Sequence, residues 1–245
     1  MRQLKKIIGM VLVLALTVCS IASCDKPEEL IPAADEFLAS NPYTVDVRVA
    51  YTSDNEAMAA AIASFTGPTM KVSVDGDKFS AIMYLKSGDD VNYVQFTFID
   101  GYLYTEYSED GKVTESKTQY TAEDIAALRA TLGAGANVTY EDFEEVDVKG
   151  VKELSIITCE DIKSDAIASL TASLSEQLKT VFDEVTVTVY TATLNIEIEN
   201  ERYNVIILNC TYFITTPTDS YSIDMKYSMK FNYSESVEIT APSFS

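Results

Sequence analysis

Four cysteines, 38 carboxylates and no histidine are the chemical means of this 245-residue chain. Without an imidazole there is no Ser-His-Asp or Cys-His pair, no His-ligated zinc and no side chain that titrates near neutrality unperturbed. Cys159 and Cys210 fall within the body of the chain. A disulfide and a pair of buried free thiols both remain open to them, since sequence fixes no distance between two residues. They fall short of a zinc site, which needs four positions filled. Paired acids at Asp75/Asp77, at Asp89/Asp90 and along Glu141-Asp142-Phe143-Glu144-Glu145 have the chemistry of a glycosidase pair or a calcium site. Asp75-Gly76-Asp77 lacks the further ligands and terminal Glu of a calcium loop, so these runs read as solvated turns and faces. Gly133-Ala134-Gly135 follows a helical pattern and has no third glycine in register, and no P-loop, Gly-x-Ser-x-Gly elbow or zinc-protease motif occurs. The expectation is a non-enzymatic chain with no catalytic residue, cofactor or metal.

Composition narrows the partners. With 18 Lys+Arg against 38 Asp+Glu the formal charge is −20, while 47% hydrophobic residues suit a globular protein. A chain so acidic would be repelled by phosphates, which argues against nucleic acid.

The N-terminus reads as an address. Arg2, Lys5 and Lys6 precede the apolar run Ile7–Val18, the n-region and h-region of an export signal, and the run is too short for a membrane span. Ile21-Ala22-Ser23-Cys24 resembles the bacterial lipobox, which implies cleavage after Ser23 and a diacylglyceryl thioether on Cys24. Residues 1–23 are then a lipoprotein signal peptide. Their loss takes three positive charges and leaves 222 residues with a formal charge of −23. So acidic a chain avoids anionic headgroups, so the acyl chains of Cys24 are the expected membrane anchor. The expected location is the outer face of the cell membrane, periplasmic or cell-surface according to the envelope.

Residues 24–42, with Pro27, Pro32 and Pro42, predict a tether leading into a short helix over Ala33–Ser40. One β-rich domain is expected over residues 43–245. Val45–Tyr51 alternates with period two, Met70–Val74 and Lys78–Lys86 flank Asp75-Gly76-Asp77, and Val91–Ile99 and Tyr102–Tyr107 flank Asp100-Gly101, a hairpin dipeptide. Asp110-Gly111 then leads into Lys112–Lys117, so the segment reads as an antiparallel meander. Ser53 and Glu56 have the spacing of a capping box ahead of a helix carrying Met58, Ala61, Ile62 and Phe65. A second helix is expected from Thr121 to near Gly133, and Ile167, Leu170, Leu174, Leu178 and Val181 predict a longer one over Ser164–Phe182.

Three long strand patterns follow, Val185–Ile198, Tyr203–Thr215 and Tyr221–Tyr233. In the last, Tyr221, Ile223, Met225, Tyr227, Met229, Phe231 and Tyr233 share one face, and a one-residue slip would expose them all. Core packing accounts for such a face, and so does the lining of an apolar cavity, for which Met is adaptable and Tyr offers a hydroxyl at the water boundary. The candidate lining is Tyr221, Ile223, Met225, Tyr227, Met229 and Phe231, joined by Ile167, Leu170 and Leu174 of the long helix.

Lipobox, short N-terminal helix, strand meander, mid-chain amphipathic helix, three long strands and the closing Val237-Glu238-Ile239-Thr240-Ala241-Pro242 together resemble the LolA-like superfamily, which includes the LppX and LprG lipoproteins. The resemblance spans most of residues 33–242. It implies an α+β fold in which a strongly curved antiparallel sheet, a half-barrel, wraps a few amphipathic helices and encloses a cavity for acyl chains. The expected ligand is a lipid or another apolar small molecule. The alternative is a structural or adaptor lipoprotein with a filled core that meets a protein partner through its acidic surface.

Overall fold

The computed structural model describes residues 29–62, 69–87, 90–109, 111–121, 138–151, 154–179, Phe182, 184–233 and 237–243. The signal segment, Cys24, Asp89, the helix expected after Thr121 and the Gly133–Gly135 run lie outside these residues.

Eleven strands form one antiparallel sheet: β1 (Tyr43–Thr52), β2 (Thr69–Asp75), β3 (Lys78–Ser87), β4 (Asp90–Ile99), β5 (Tyr102–Glu109), β6 (Lys112–Gln119), β7 (Phe143–Val151), β8 (Leu154–Ile162), β9 (Thr186–Glu199), β10 (Arg202–Thr215) and β11 (Ser220–Asn232). Their order across the sheet is β6-β5-β4-β3-β2-β1-β11-β10-β9-β8-β7. Two hairpin meanders are thus joined at one seam, where β1 pairs with β11 from Thr44 opposite Asn232 to Thr52 opposite Asp224. The sheet stays open, with β6 and β7 as its edges.

Turn chemistry sets the hairpins. Asp100 (φ 52°) and Gly101 (φ 77°) both take the left-handed conformation that a tight two-residue turn requires. Asn200 (φ 51°) and Glu201 (φ 60°) do the same between β9 and β10, where Glu201 lacks the glycine such a turn favours.

Among the described residues three α-helices lie against the sheet: α1 (Leu30–Ser40) on β10, α2 (Glu56–Ile62) on β1 and α3 (Ile167–Leu178) on β9. α1 begins earlier than Ala33 because Pro32 falls in its first turn, where a missing N–H costs no intrahelical bond. The Ser53/Glu56 capping box is corrected. Asn55 is the cap, its Oδ1 accepting from the Met58 N–H at 3.0 Å, while Ser53 Oγ donates to the carbonyl of Ser222 on β11 at 2.7 Å. α3 is shorter than Ser164–Phe182 at both ends.

The core lies on the sheet face that β11 shares through Ile223, Met229 and Phe231. That face continues through Val45 and Val47 on β1, Val72 on β2, Phe96 on β4 and Ile157 on β8. It runs out at the edges. Every residue of β6 is exposed, and Val146 and Val148 of β7 are exposed although Cys159 and Ile157 opposite them are buried.

Candidate functional site

β11 brings its alternating face to the centre of the sheet, where each residue meets a neighbour from β1 or β10. Phe231 stands opposite Val45, Met229 between Val47 and Ile206, Tyr227 between Val49 and Leu208, and Met225 between Tyr51 and Cys210. The row is unevenly covered. Ile223, Met229 and Phe231 are buried, whereas Tyr221, Met225 and Tyr227 are only half-buried, as are Val49 and Tyr51 beside them. Desolvation, with Cys210 nearby, pushes the phenol of Tyr51 up to about 12.

α3 seals the part of the face next to this strip. Leu170, Leu174 and Leu178 are buried and Ile167 is half-buried. The hydroxyl of Tyr212 donates to the Leu170 carbonyl at 3.4 Å and lies 3.7 Å from the sulfur of Met225, so it links helix, β10 and β11. Burial raises the Tyr212 phenol strongly, which keeps it neutral and a donor. Phe182, beyond the helix, sets its ring 6.5 Å from that of Tyr221. The structure therefore gathers Tyr221, Met225 and Tyr227 into one half-covered apolar strip, and it places Ile223, Met229, Phe231, Leu170 and Leu174 in the packed interior.

The opposite end of the face, under α1, is polar and aromatic. The hydroxyl of Tyr203 donates to Asp35 at 2.7 Å, and Tyr233 donates to the Tyr203 carbonyl at 3.0 Å. The guanidinium of Arg202 lies 4.4 Å from the centre of the Phe37 ring and 5.9 Å from that of Tyr233. A cavity of about 180 Å³ opens here, lined by Asn200, Arg202, Tyr203, Asn204 and Tyr233 among others. Sequence reasoning missed this cluster. Its only local signal is the Asn200-Glu201 turn, because Phe37 and Tyr233 come from opposite ends of the chain.

The cysteines resolve one open question. Cys159 and Cys210 are free and buried. Cys159 pairs with Leu194 of β9, whose other side meets β10, so a whole strand stands between the two thiols. Strands lie 4.7–4.9 Å apart, which puts these residues beyond disulfide reach, and the disulfide alternative is corrected. Desolvation pushes each thiol up to about 12.

The acidic runs serve as local structure where they are described. Asp142 Oδ2 accepts from the N–H of Thr139 at 2.6 Å and caps the short turn Tyr140–Asp142, and Lys163 donates to the Glu141 carbonyl at 2.6 Å. Among the described residues no group of three His, Cys, Asp or Glu side chains converges on a point. No described helix is long and apolar enough to cross a membrane.

Fold and site define the class: an α+β protein built on one open antiparallel sheet, with a half-covered apolar strip at its centre. No protein-family model and no curated protein matches the chain. Among solved structures, the tesB protein of Mycobacterium avium subs paratuberculosis is similar over 83% of this chain and 86% of that one, at 10% identity and a TM-score of 0.11. A likeness of that degree carries no argument.

Proposed function

We propose that this chain is an exported lipoprotein, tethered through Cys24, that binds a lipid or another apolar ligand along the half-covered strip of its sheet, without catalysis. The observation that carries the proposal is the contrast within one face: Tyr221, Met225 and Tyr227 stay half-buried where Ile223, Met229 and Phe231 are sealed. Binding would proceed by partition. Each methylene that leaves water contributes about 0.8 kcal/mol, so an acyl chain needs surface and shape more than directional bonds. The polarisable thioether of Met225 and the rings of Tyr227 and Tyr51 supply that surface. In this proposal the sheet curves as a half-barrel of the LolA-like kind, and the anchor holds it at the outer face of the cell membrane.

Titration of the full chain with a fluorescent fatty acid tests the ligand. Saturable uptake that Met225→Glu abolishes supports the proposal, and uptake that is absent or indifferent to Met225→Glu counts against it. Labelled palmitate tests the anchor: incorporation should vanish in Cys24→Ser.

A second reading, an adaptor with a filled core, has its own support in the sealed positions Ile223, Leu174 and Leu178, each at 0–1% exposure, and in the charge of −20 available to a protein partner. An empty fatty-acid titration together with salt-sensitive capture of a protein would favour it.

A further inference from the structure

Strand β6 ends the sheet with eight exposed residues, Lys112 to Gln119, and an edge strand carries backbone N–H and C=O groups that a further strand can pair. We infer that β6 is a self-association edge: two copies of this chain join β6 to β6, antiparallel, about a two-fold axis through Ser116, with Glu115 of each copy opposite Lys117 of the other.

The register follows from symmetry and charge. A two-fold axis normal to the sheet keeps like faces on the same side, so only residues of equal parity can stand opposite one another. Centring on Glu115 sets Glu115 against itself, and centring on Lys117 sets Lys117 against itself; both place like charges in direct opposition. Centring on Ser116 gives Glu115 opposite Lys117 twice, Thr114 opposite Thr118 twice and Val113 opposite Gln119 twice. No like charges meet, and among centres from Thr114 to Thr118 this one alone sets opposite charges of the strand against each other.

The neighbouring strand supports the same arrangement. Within the chain Glu115 stands directly opposite Glu106 of β5, an unfavourable pairing, and Glu106 already accepts the hydroxyl of Tyr93. A second copy would bring Lys117 to the open side of Glu115. In the single chain the Lys117 ammonium rests over β5, 4.1 Å from the centre of the Tyr102 ring and 5.0 Å from that of Tyr104, so to meet Glu115 of a second copy it must swing from these rings toward the open edge. With Lys112 and Lys117 against Glu115, β6 carries a net positive charge on a chain of charge −20, so of the two edges it repels its copy less. The other edge is less suited. On β7 Lys149 already pairs with Asp147 of its own strand at 2.9 Å, and Glu144 and Glu145 add negative charge.

Disulfide trapping reads the register directly. In a full chain carrying Cys19→Ser and Cys24→Ser, the remaining thiols are the buried Cys159 and Cys210. Ser116→Cys should then form a covalent dimer on mild oxidation, because the two side chains face each other about 4.5–5.5 Å apart. Thr114→Cys alone should not, its two copies lying four residues or about 13 Å apart along the strand. A mixture of Thr114→Cys and Thr118→Cys should crosslink. In the Ser116→Cys background, Glu115→Lys or Lys117→Glu should each lower the yield several-fold, and the two together should restore it. Failure of Ser116→Cys to crosslink, equal crosslinking of Thr114→Cys, preferential crosslinking of Val148→Cys on β7, or indifference to the charge reversals would each overturn the inference. It is independent of the ligand proposal, since β6 contributes nothing to the apolar strip.

Discussion

The hydroxyl of Tyr203 on β10 meets the carboxylate of Asp35 on α1 at 2.7 Å, joining residues 168 positions apart. This bond, with the stacking of Arg202 on Phe37, fastens the N-terminal helix to the sheet. Tyr203 is fully buried, so Tyr203→Phe keeps the packing and removes the donor alone. The expected loss is about 1–3 kcal/mol of unfolding free energy, the cost of leaving a part-buried carboxylate without its partner. Urea denaturation measures it, and an unmoved midpoint would show that Asp35 is served equally well by water.

Asp35 also gives the fold a pH dependence. Desolvation raises its carboxyl above the ordinary 3.8, and the bond from Tyr203 offsets part of that rise. The folded chain therefore holds this proton at pH values where the unfolded chain has released it. The group's stabilising contribution is complete below about 3.8 and is lost as pH rises through the folded value. Asp35→Asn should flatten the fall in thermal midpoint as pH rises from 3.8 through the folded value. A variant whose midpoint falls as steeply as the parent's would remove Asp35 as the cause.

The thiols of Cys159 and Cys210, buried and raised to about 12, should be inert to a thiol reagent at neutral pH until the chain unfolds. Their labelling rate should track denaturant concentration through the unfolding transition. Thermal midpoints should be the same with and without reductant, since β9 keeps the two apart. A midpoint lowered by reductant would mean that a disulfide forms after all.

Glu201 holds a left-handed conformation at φ 60° in the β9–β10 turn, after Asn200 at φ 51°. A side chain with Cβ is strained there, whereas glycine is not. Glu201→Gly should stabilise the fold by about 1 kcal/mol and leave the strand register unchanged. The denaturation midpoint reads the gain, and a loss would show that Glu201 makes contacts worth more than the strain.

Much of this architecture is legible in the residues. Period-two alternation between turn dipeptides locates nine of the eleven strands, and the pattern Tyr221–Tyr233 corresponds to β11 at Ser220–Asn232. β7 escapes because an edge strand needs no buried face: Glu141-Asp142-Phe143-Glu144-Glu145 reads as a solvated acidic run, and in the sheet Glu144 and Glu145 are exposed. The β1–β11 seam leaves no local mark either, since residues so far apart in sequence are brought together by the whole fold. Alternation finds the apolar row of β11 but not which of its members are covered. That depends on where α1 and α3 come down, and their positions are set by contacts such as Tyr203 with Asp35 and Tyr212 with Leu170.

Coverage is therefore the property that separates core from lining, and two alanine variants expose it. Leu174, on the buried face of α3, is 1% exposed, so Leu174→Ala opens a cavity in a packed region and should cost about 2–5 kcal/mol. Met225 is half-buried beside Tyr51 and Tyr227, where water and neighbouring side chains can close around a deletion, so Met225→Ala should cost less than half as much. Fatty-acid affinity should move in the opposite order: weakened several-fold by Met225→Ala and unchanged by Leu174→Ala under conditions where both variants stay folded. Equal destabilisation by the two substitutions would place Met225 in the sealed core with Leu174. The strip would then have no open surface to offer a ligand, and the filled-core adaptor would be the better account of the same sheet.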